Sequence, residues 1–405
     1  MNHKNQNQAF FMPSPEEIRQ EERRSYWLSW ILTVLISLLI LILANRLVSR
    51  DLPIFQAPLP TERARVLQLL NREEKESIGG HINTIITVEI ELLSGEQKGQ
   101  KVELLQEINP IYVGATYTKE LEKGDLIMAF ASQQGEENVW RFQEYYRMNQ
   151  IYYLGLVFAL LLLILGHWQG FNTLLSLVFT FAFVFFVFVP SILQGLNIYF
   201  FAFITAIYVI VVTLLLVHGY SRKTFATMLS CMGGVLIALL LILIMKSSLG
   251  LTGVDDEEAM YLLKLHPERP IDMTAIVYSS IIIGAMGAIM DVAMDISASL
   301  FEIAQHVPNI SPLNLMKSGF RIGRDIMGTM ANTLVLAYIG SSLAGTLLYL
   351  TYSNTLDHLL NRETVIIELL QALIGSSAMI LTIPLSSVIS AYFFCNRGKS
   401  QRHLI

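Results

Sequence analysis

Eight stretches of this chain are long, apolar and almost free of charge, at residues 26–44, 151–166, 171–190, 198–217, 224–246, 273–290, 326–350 and 366–394. A helix of roughly 20 residues crosses the ~30 Å hydrocarbon core of a bilayer. Inside hydrocarbon a segment must satisfy its own backbone hydrogen bonds, so such runs are expected as helices. Only 15% of the residues are charged, against about 25% in soluble domains. The expected fold class is therefore a mainly α-helical integral membrane protein with about eight transmembrane helices. The last run is too long for one straight perpendicular pass, so Pro384 is expected to kink it or the helix to tilt.

The organisation follows from where charge returns. Residues 1–25 are polar and mixed in charge, and read as a cytoplasmic tail. Residues 26–45 form an anchor. This run ends in Leu43-Ala44-Asn45-Arg46, without the small-x-small pattern of a cleavage site, so a retained helix is preferred to a signal peptide. Residues 46–150 carry strand signals. Ile86, Val88, Ile90 and Leu92 alternate with Thr87, Glu89 and Glu91. Gly95 and Gly99 bracket a turn before Val102 and Leu104; Gly124-Asp125 precedes a strand at 126–131, and Val139, Trp140 and Phe142 suggest a fourth. Four short strands fit a small soluble β-barrel or sandwich of OB-like or SH3-like kind, folding as its own unit. Residues 151–395 make a seven-helix membrane domain, and 396–405 a second cytoplasmic tail.

Lys and Arg in short loops orient such a chain. With the N-terminus inside, the tails and inner loops hold Lys4, Arg19, Arg23, Arg24, Arg222, Lys223, Lys317, Arg321, Arg324, Arg397, Lys399 and Arg402; the short outer loops hold only Lys264, Arg269 and Arg362. Both termini are expected in the cytoplasm and the β-rich domain outside, its length exempting it from the rule.

The segment from Ile281 to Thr333 departs most from plain apolar helix. Gly284, Ala285, Gly287 and Ala288 are small residues that let helices approach closely. Asp291 and Asp295 follow on one helical face with Ser299, Glu302 and His306. Ser311 and Pro312 read as an N-cap and first helical residue. The next helix carries Lys317, Arg321 and Arg324 on one face, then Asp325, with Asn332 and Thr333 about two turns further in. An acidic stripe thus precedes a turn and a basic stripe follows it. If the two helices fold back on one another, the stripes can meet as a charge-paired gate or coupling site, because ionisable groups at membrane depth are costly and mark ion routes. The competing reading is an amphipathic loop lying on the bilayer surface. Candidate gating residues are Asp291, Asp295, Arg321, Arg324, Asp325, Asn332 and Thr333. Ser376, Ser377, Ser386, Ser387 and Ser390 either line a pathway or serve packing. Asp255, Asp256, Glu257 and Glu258 read as a solvated outer loop, and His167 with Trp168 as interface anchors in a tight turn.

The run Gly284-Ala285-Met286-Gly287-Ala288-Ile289-Met290-Asp291-Val292-Ala293-Met294 resembles the signature of the YibE/F family of bacterial multi-pass membrane proteins. So does Gly323-Arg324-Asp325-Ile326-Met327-Gly328-Thr329-Met330-Ala331-Asn332-Thr333-Leu334. The layout of anchor, β-rich region and several spans also fits, over most of the chain beyond Arg46. The resemblance implies a cytoplasmic-membrane protein sometimes labelled a permease, and supplies no substrate.

Function divides three ways on this reading. The first is a permease or ion-coupled secondary transporter of a small ion or solute. The second is a scaffold or accessory protein whose external domain binds a protein partner. The third is an intramembrane enzyme with two aspartates sharing a proton; the aspartates lie near the membrane rim and no GxGD-like pairing occurs, so no catalytic residues are assigned. No P-loop, CxxC or HExxH is present, hence no cofactor or metal site is expected. The net charge of −5 suggests no nucleic-acid partner. Cys231 and Cys395 lie in or at the end of apolar runs, so no structural disulfide is expected.

Overall fold

The computed structural model describes residues 15–49, 61–76, 82–108, 119–134, 137–254, 257–265, 271–307, 309–353 and 355–395. Asp255, Asp256, residues 1–14 and the tail from 396 lie outside them. The chain divides into two compact units, Pro53–Ile164 and the combination of Met1–Leu52 with Leu165–Ile405.

The first unit contains a closed five-stranded barrel. Its strands are β1 (Thr61–Glu76), β2 (Ile82–Leu92), β3 (Lys101–Ile108), β4 (Leu126–Gln134) and β5 (Glu137–Tyr145), closing in the order β1-β2-β3-β5-β4. All neighbours are antiparallel except β3 and β5, which run parallel with Leu104 opposite Trp140. A five-stranded barrel of this connectivity is OB-like. The expected alternation on β2 is present: Ile86, Val88, Ile90 and Leu92 all point into the core with Ala64, Val66, Leu104, Ile127, Ala129 and Trp140. Fully burying each Ile or Leu contributes about 1.5–3 kcal/mol. Gly95, Gly99 and Gly124 all have positive φ, at 80°, 88° and 96°, as the turns around them require.

Strand β1 is the one missing from the expected four. Its sequence hides it. Only Ala64 and Val66 are buried along it, and register shifts at Val66/Gln68 and Leu69/Asn71 break the period-2 pattern.

The helices are α1 (Pro15–Val48), α2 (Met148–Phe183), α3 (Val189–Leu193), α4 (Ile198–His218), α5 (Arg222–Leu249), α6 (Glu257–Leu265), α7 (Met273–His306), α8 (Pro312–Tyr352), α9 (Leu356–Leu360) and α10 (Glu363–Cys395), with a π-helical turn at Val184–Phe188 joining α2 to α3. Among the described residues, seven helical segments are long and apolar enough to cross a membrane. One of these, Met148–Leu193, is 46 residues long, and within it His167 leaves the helical region with φ 46° and ψ −121°. That break falls at the tight turn expected from the sequence. Residues 15–25, expected in the polar tail, are helical and extend α1 beyond the apolar run. Helices α7 and α8 likewise run well past the apolar stretches 273–290 and 326–350. Ser311 caps α8 as expected, accepting from the Asn314 backbone N–H at 3.3 Å with Pro312 in the first turn. Helix α10 is continuous across Pro384.

The core of this unit lies where α4, α5, α7 and α10 meet, around Ile210, Cys231, Tyr278, Ile281, Ile289, Ile296 and Met379. In lipid the hydrophobic effect does not drive helices together, so close packing at small residues carries the association. Gly234 of α5 sits against Ile289 and Thr382, and Gly375 of α10 against Leu334 and Ala285.

Candidate functional site

Helix α8 folds back along α7, as the turn at Val307–Ser311 suggests, and both pack on α10. The contacts on α8 come from its small residues. Leu315, Gly319 and Gly323 are its buried positions. A side chain at Gly319 would meet Ser387 of α10 and Leu300 of α7, and one at Gly323 would meet Ile383. On α7 the buried positions include Val292, Ala293, Ile296, Ser297 and Leu300.

This packing decides where the charges go. Asp291 and Asp295 are exposed on α7, on the side that also carries the exposed Gly284 and Gly287. The Tyr338 hydroxyl packs over Gly284, whereas Gly287 faces open space. Glu302 and His306 are exposed lower on the same helix and approach to 3.7 Å. On α8, Lys317, Arg321, Arg324 and Asp325 are exposed.

The expected charge-paired gate is not formed within one chain. Among the described residues no ion pair joins Asp291, Asp295 or Asp325 to Arg321 or Arg324. The glycine face of α8 takes the contact with α10, and Arg321 lies about half a helical turn away from Gly319. Asn332 and Thr333 are exposed as well. The Thr333 hydroxyl is returned to its own helix, donating to the Thr329 carbonyl at 2.9 Å.

The serines of α10 separate into two roles. Ser297 of α7 lies 2.9 Å from Ser390 and 3.4 Å from Ser386, hydroxyl to hydroxyl, and Ser386 donates to the Ala293 carbonyl at 3.3 Å. Ser387 donates to the Ile383 carbonyl at 2.8 Å. All four are fully buried. Ser297, Ser386 and Ser390 fasten α7 to α10, each interhelical bond contributing about 0.6 kcal/mol, whereas the Ser387 bond stays within α10. Ser376 is buried with no partner for its hydroxyl among the described residues, and Ser377 is exposed.

Two further polar clusters were not foreseen. At the Glu363 end of α10, the Glu363 carboxylate accepts from the Thr252 and Gly253 backbone N–H groups, both at 2.6 Å, and from the Thr252 hydroxyl at 2.9 Å. Lys246 donates to the Tyr199 hydroxyl at 2.8 Å. Partners 47 to 111 residues apart leave no local signal. Trp168 of the broken helix does pack with aromatic residues, its ring 5.1 Å from Trp27 and 5.2 Å from Phe171, and Trp30 donates to the Asn172 side chain at 2.9 Å.

The barrel unit has its own cavity, of about 770 Å³, lined among others by Lys119, Asp125, Phe142, Tyr145, Tyr146 and Arg147. The Tyr145 hydroxyl donates to the Lys119 carbonyl at 2.6 Å. Burial raises the Tyr145 phenol above its ordinary value, with the nearby Asp125 carboxylate adding to the effect. Lys119 pairs with Glu122 at 3.0 Å, a hydrogen bond that raises the ammonium above its usual value. The cavity therefore offers both signs of charge and aromatic faces.

Comparison with known proteins bears on the helical part. A family model described as YibE/F-like protein matches residues 154–396. No curated protein and no solved structure matches the chain. The matched region takes in both glycine-rich motifs on α7 and α8, and leaves the barrel outside it, so the resemblance begins later than the sequence reading placed it. With well over half of its length matched, the chain belongs to the YibE/F-like family.

Proposed function

We propose that the protein is a permease of the cell membrane, an ion-coupled secondary transporter for a small ion or solute. The observation that carries this reading is the pair Asp291 and Asp295, exposed on α7 beside Gly284 and Gly287 with no cation paired to either among the described residues. A carboxylate placed in hydrocarbon costs about 2.5–3.5 kcal/mol on insertion scales. Water or a passing cation is therefore needed at these groups, and Gly287, with open space where its side chain would begin, leaves room beside them.

The same proposal has eight passes. The 46-residue stretch Met148–Leu193 would measure about 69 Å as one helix, more than twice the hydrocarbon thickness. It makes two passes that turn at His167. Both termini then lie in the cytoplasm and the barrel lies outside, in keeping with the Lys and Arg asymmetry. On a cysteine-free background, single cysteines in residues 1–24 should resist an impermeant thiol reagent in intact cells, and cysteines on the barrel should react. The opposite pattern would invert the topology.

In proteoliposomes the protein should carry flux of at least one ion from a panel. Asp291→Asn or Asp295→Asn should lower that flux about tenfold or more, while Glu302→Gln, paired with His306 lower on the helix, should leave it unchanged. Absence of flux across the panel, or equal flux in all variants, would remove the transporter reading. The second reading, a scaffold with no enzymatic activity of its own, is favoured by the barrel cavity. Capture of a protein partner by the wild-type chain, lost on substitution of Tyr146 and Arg147, would support it.

A further inference from the structure

We propose that α8 is the contact helix of a homodimer, and that a second copy of the chain completes the charge pairs left open on it. Arg321, Asp325, Gly328 and Asn332 recur at spacings of four, three and four. On a helix this places them in one stripe, and all four are exposed. The stripe lies opposite the Leu315, Gly319 and Gly323 face that packs within the chain. The most apolar stretch of α8 has none of its residues buried, against 56% for α7 and for α10. A helix in that position meets either lipid or another protein.

Its chemistry favours protein. Asn332 lies seven residues beyond Asp325 in an uncharged run whose Thr329 and Thr333 hydroxyls are returned to their own helix, and its carboxamide has no partner among the described residues. Lipid offers it none, whereas a facing Asn332 can both donate and accept. Gly328 has no atom within 4 Å of where a side chain would begin, so it leaves the backbone open to close approach.

The charges argue for a second copy rather than another partner. Two copies inserted the same way have parallel α8 helices and a two-fold axis along the membrane normal. Residues at equal depth then face one another. Arg321 of one copy lies one turn from Asp325 of the other, and the symmetry makes the pair twice. At equal depth like faces like, so each long arginine side chain reaches along the facing helix to the carboxylate one turn away. The four-three-four spacing suits a shallow left-handed crossing. The dimer does not depend on transport activity.

The test uses the full-length chain with its two cysteines replaced. Native mass spectrometry should give two copies per particle. Cysteines introduced as Gly328→Cys or Asn332→Cys should form intermolecular disulfides, while Leu240→Cys, on the exposed face of α5, should not. Asn332→Leu should weaken the dimer about tenfold. Arg321→Asp or Asp325→Arg alone should weaken it, and the double exchange should restore it. A monomeric mass with no cross-link at 328 or 332 would overturn the proposal. So would equal cross-linking at 240, or a particle holding one copy with a different protein.

Discussion

Gly253→Val should lower the stability of the protein by about 3 kcal/mol or more, mostly through backbone that cannot move aside. Gly253 has φ +73°, a conformation that β-branched residues almost never adopt. A Cβ there would lie 2.5 Å from the carbonyl carbon of Met273, 2.7 Å from its oxygen and 2.7 Å from the Thr274 nitrogen. These are main-chain atoms of the first turn of α7, so no rotamer relieves the overlap. The same glycine donates its N–H to Glu363, which also takes both donors of Thr252. The Thr274 hydroxyl closes the joint by donating to the Thr252 carbonyl at 3.1 Å. One turn thus ties the C-terminal end of α5 to the starts of α7 and α10. Glu363→Gln should cost about 1.5–3 kcal/mol, since it removes the charge from hydrogen bonds that are charge-assisted. With the partly exposed Cys395 replaced, the remaining thiol, Cys231, is fully buried, so its reaction with a thiol dye during heating in detergent reports unfolding. A midpoint for Gly253→Val within error of the wild type would refute this account of the joint.

Gly234→Val should be the most damaging change inside the helical core. A Cβ at Gly234 would overlap the Thr382 hydroxyl and lie 2.6 Å from Cγ2 of Ile289. Thr382 and Ile289 are both fully buried, and Thr382 is held by its bond to the Ala378 carbonyl at 2.8 Å. Overpacking of a tight core costs about 1–3 kcal/mol, and here two neighbours on two helices must yield together. Because α5, α7 and α10 associate through close packing, separation of α5 is the expected response. The same thermal assay should show a lowered midpoint, and Ile289→Ala in the same chain should recover part of it, since residues in contact are not additive. Gly287→Ala is the control: nothing lies within 4 Å of its Cβ position, so its midpoint should hardly change. Equal loss from Gly287→Ala and Gly234→Val would show that glycine as such, and not the junction, is what matters.

Much of the architecture is legible before any coordinates. A bilayer demands a minimum apolar length, so hydropathy alone locates the runs that became α1, α2, α4, α5, α7, α8 and α10. Strand β2 is readable because its inward residues alternate against a single core. Ser311 and Pro312 announce the start of α8 because an N-cap is a local bargain between one side chain and the next turn. Strand β1 is not readable, since its outer half is held by pairing with β2 rather than by burial of its own side chains.

The periodicity of the sequence puts Asp291 and Asp295 on one stripe and Arg321 and Arg324 on another, and all four are exposed on α7 and α8. It had no means of showing which side of each helix would be covered. That was decided by the fit of Gly319 and Gly323 against Ser387 and Ile383, and in this packing no ion pair joins the arginines to the aspartates among the described residues. The Glu363 joint is of the same kind, with its partners 110 residues apart. Periodicity determines the azimuth of a residue on its own helix. Its neighbour is set by the shape of another helix, and that shape exists only once the chain has folded.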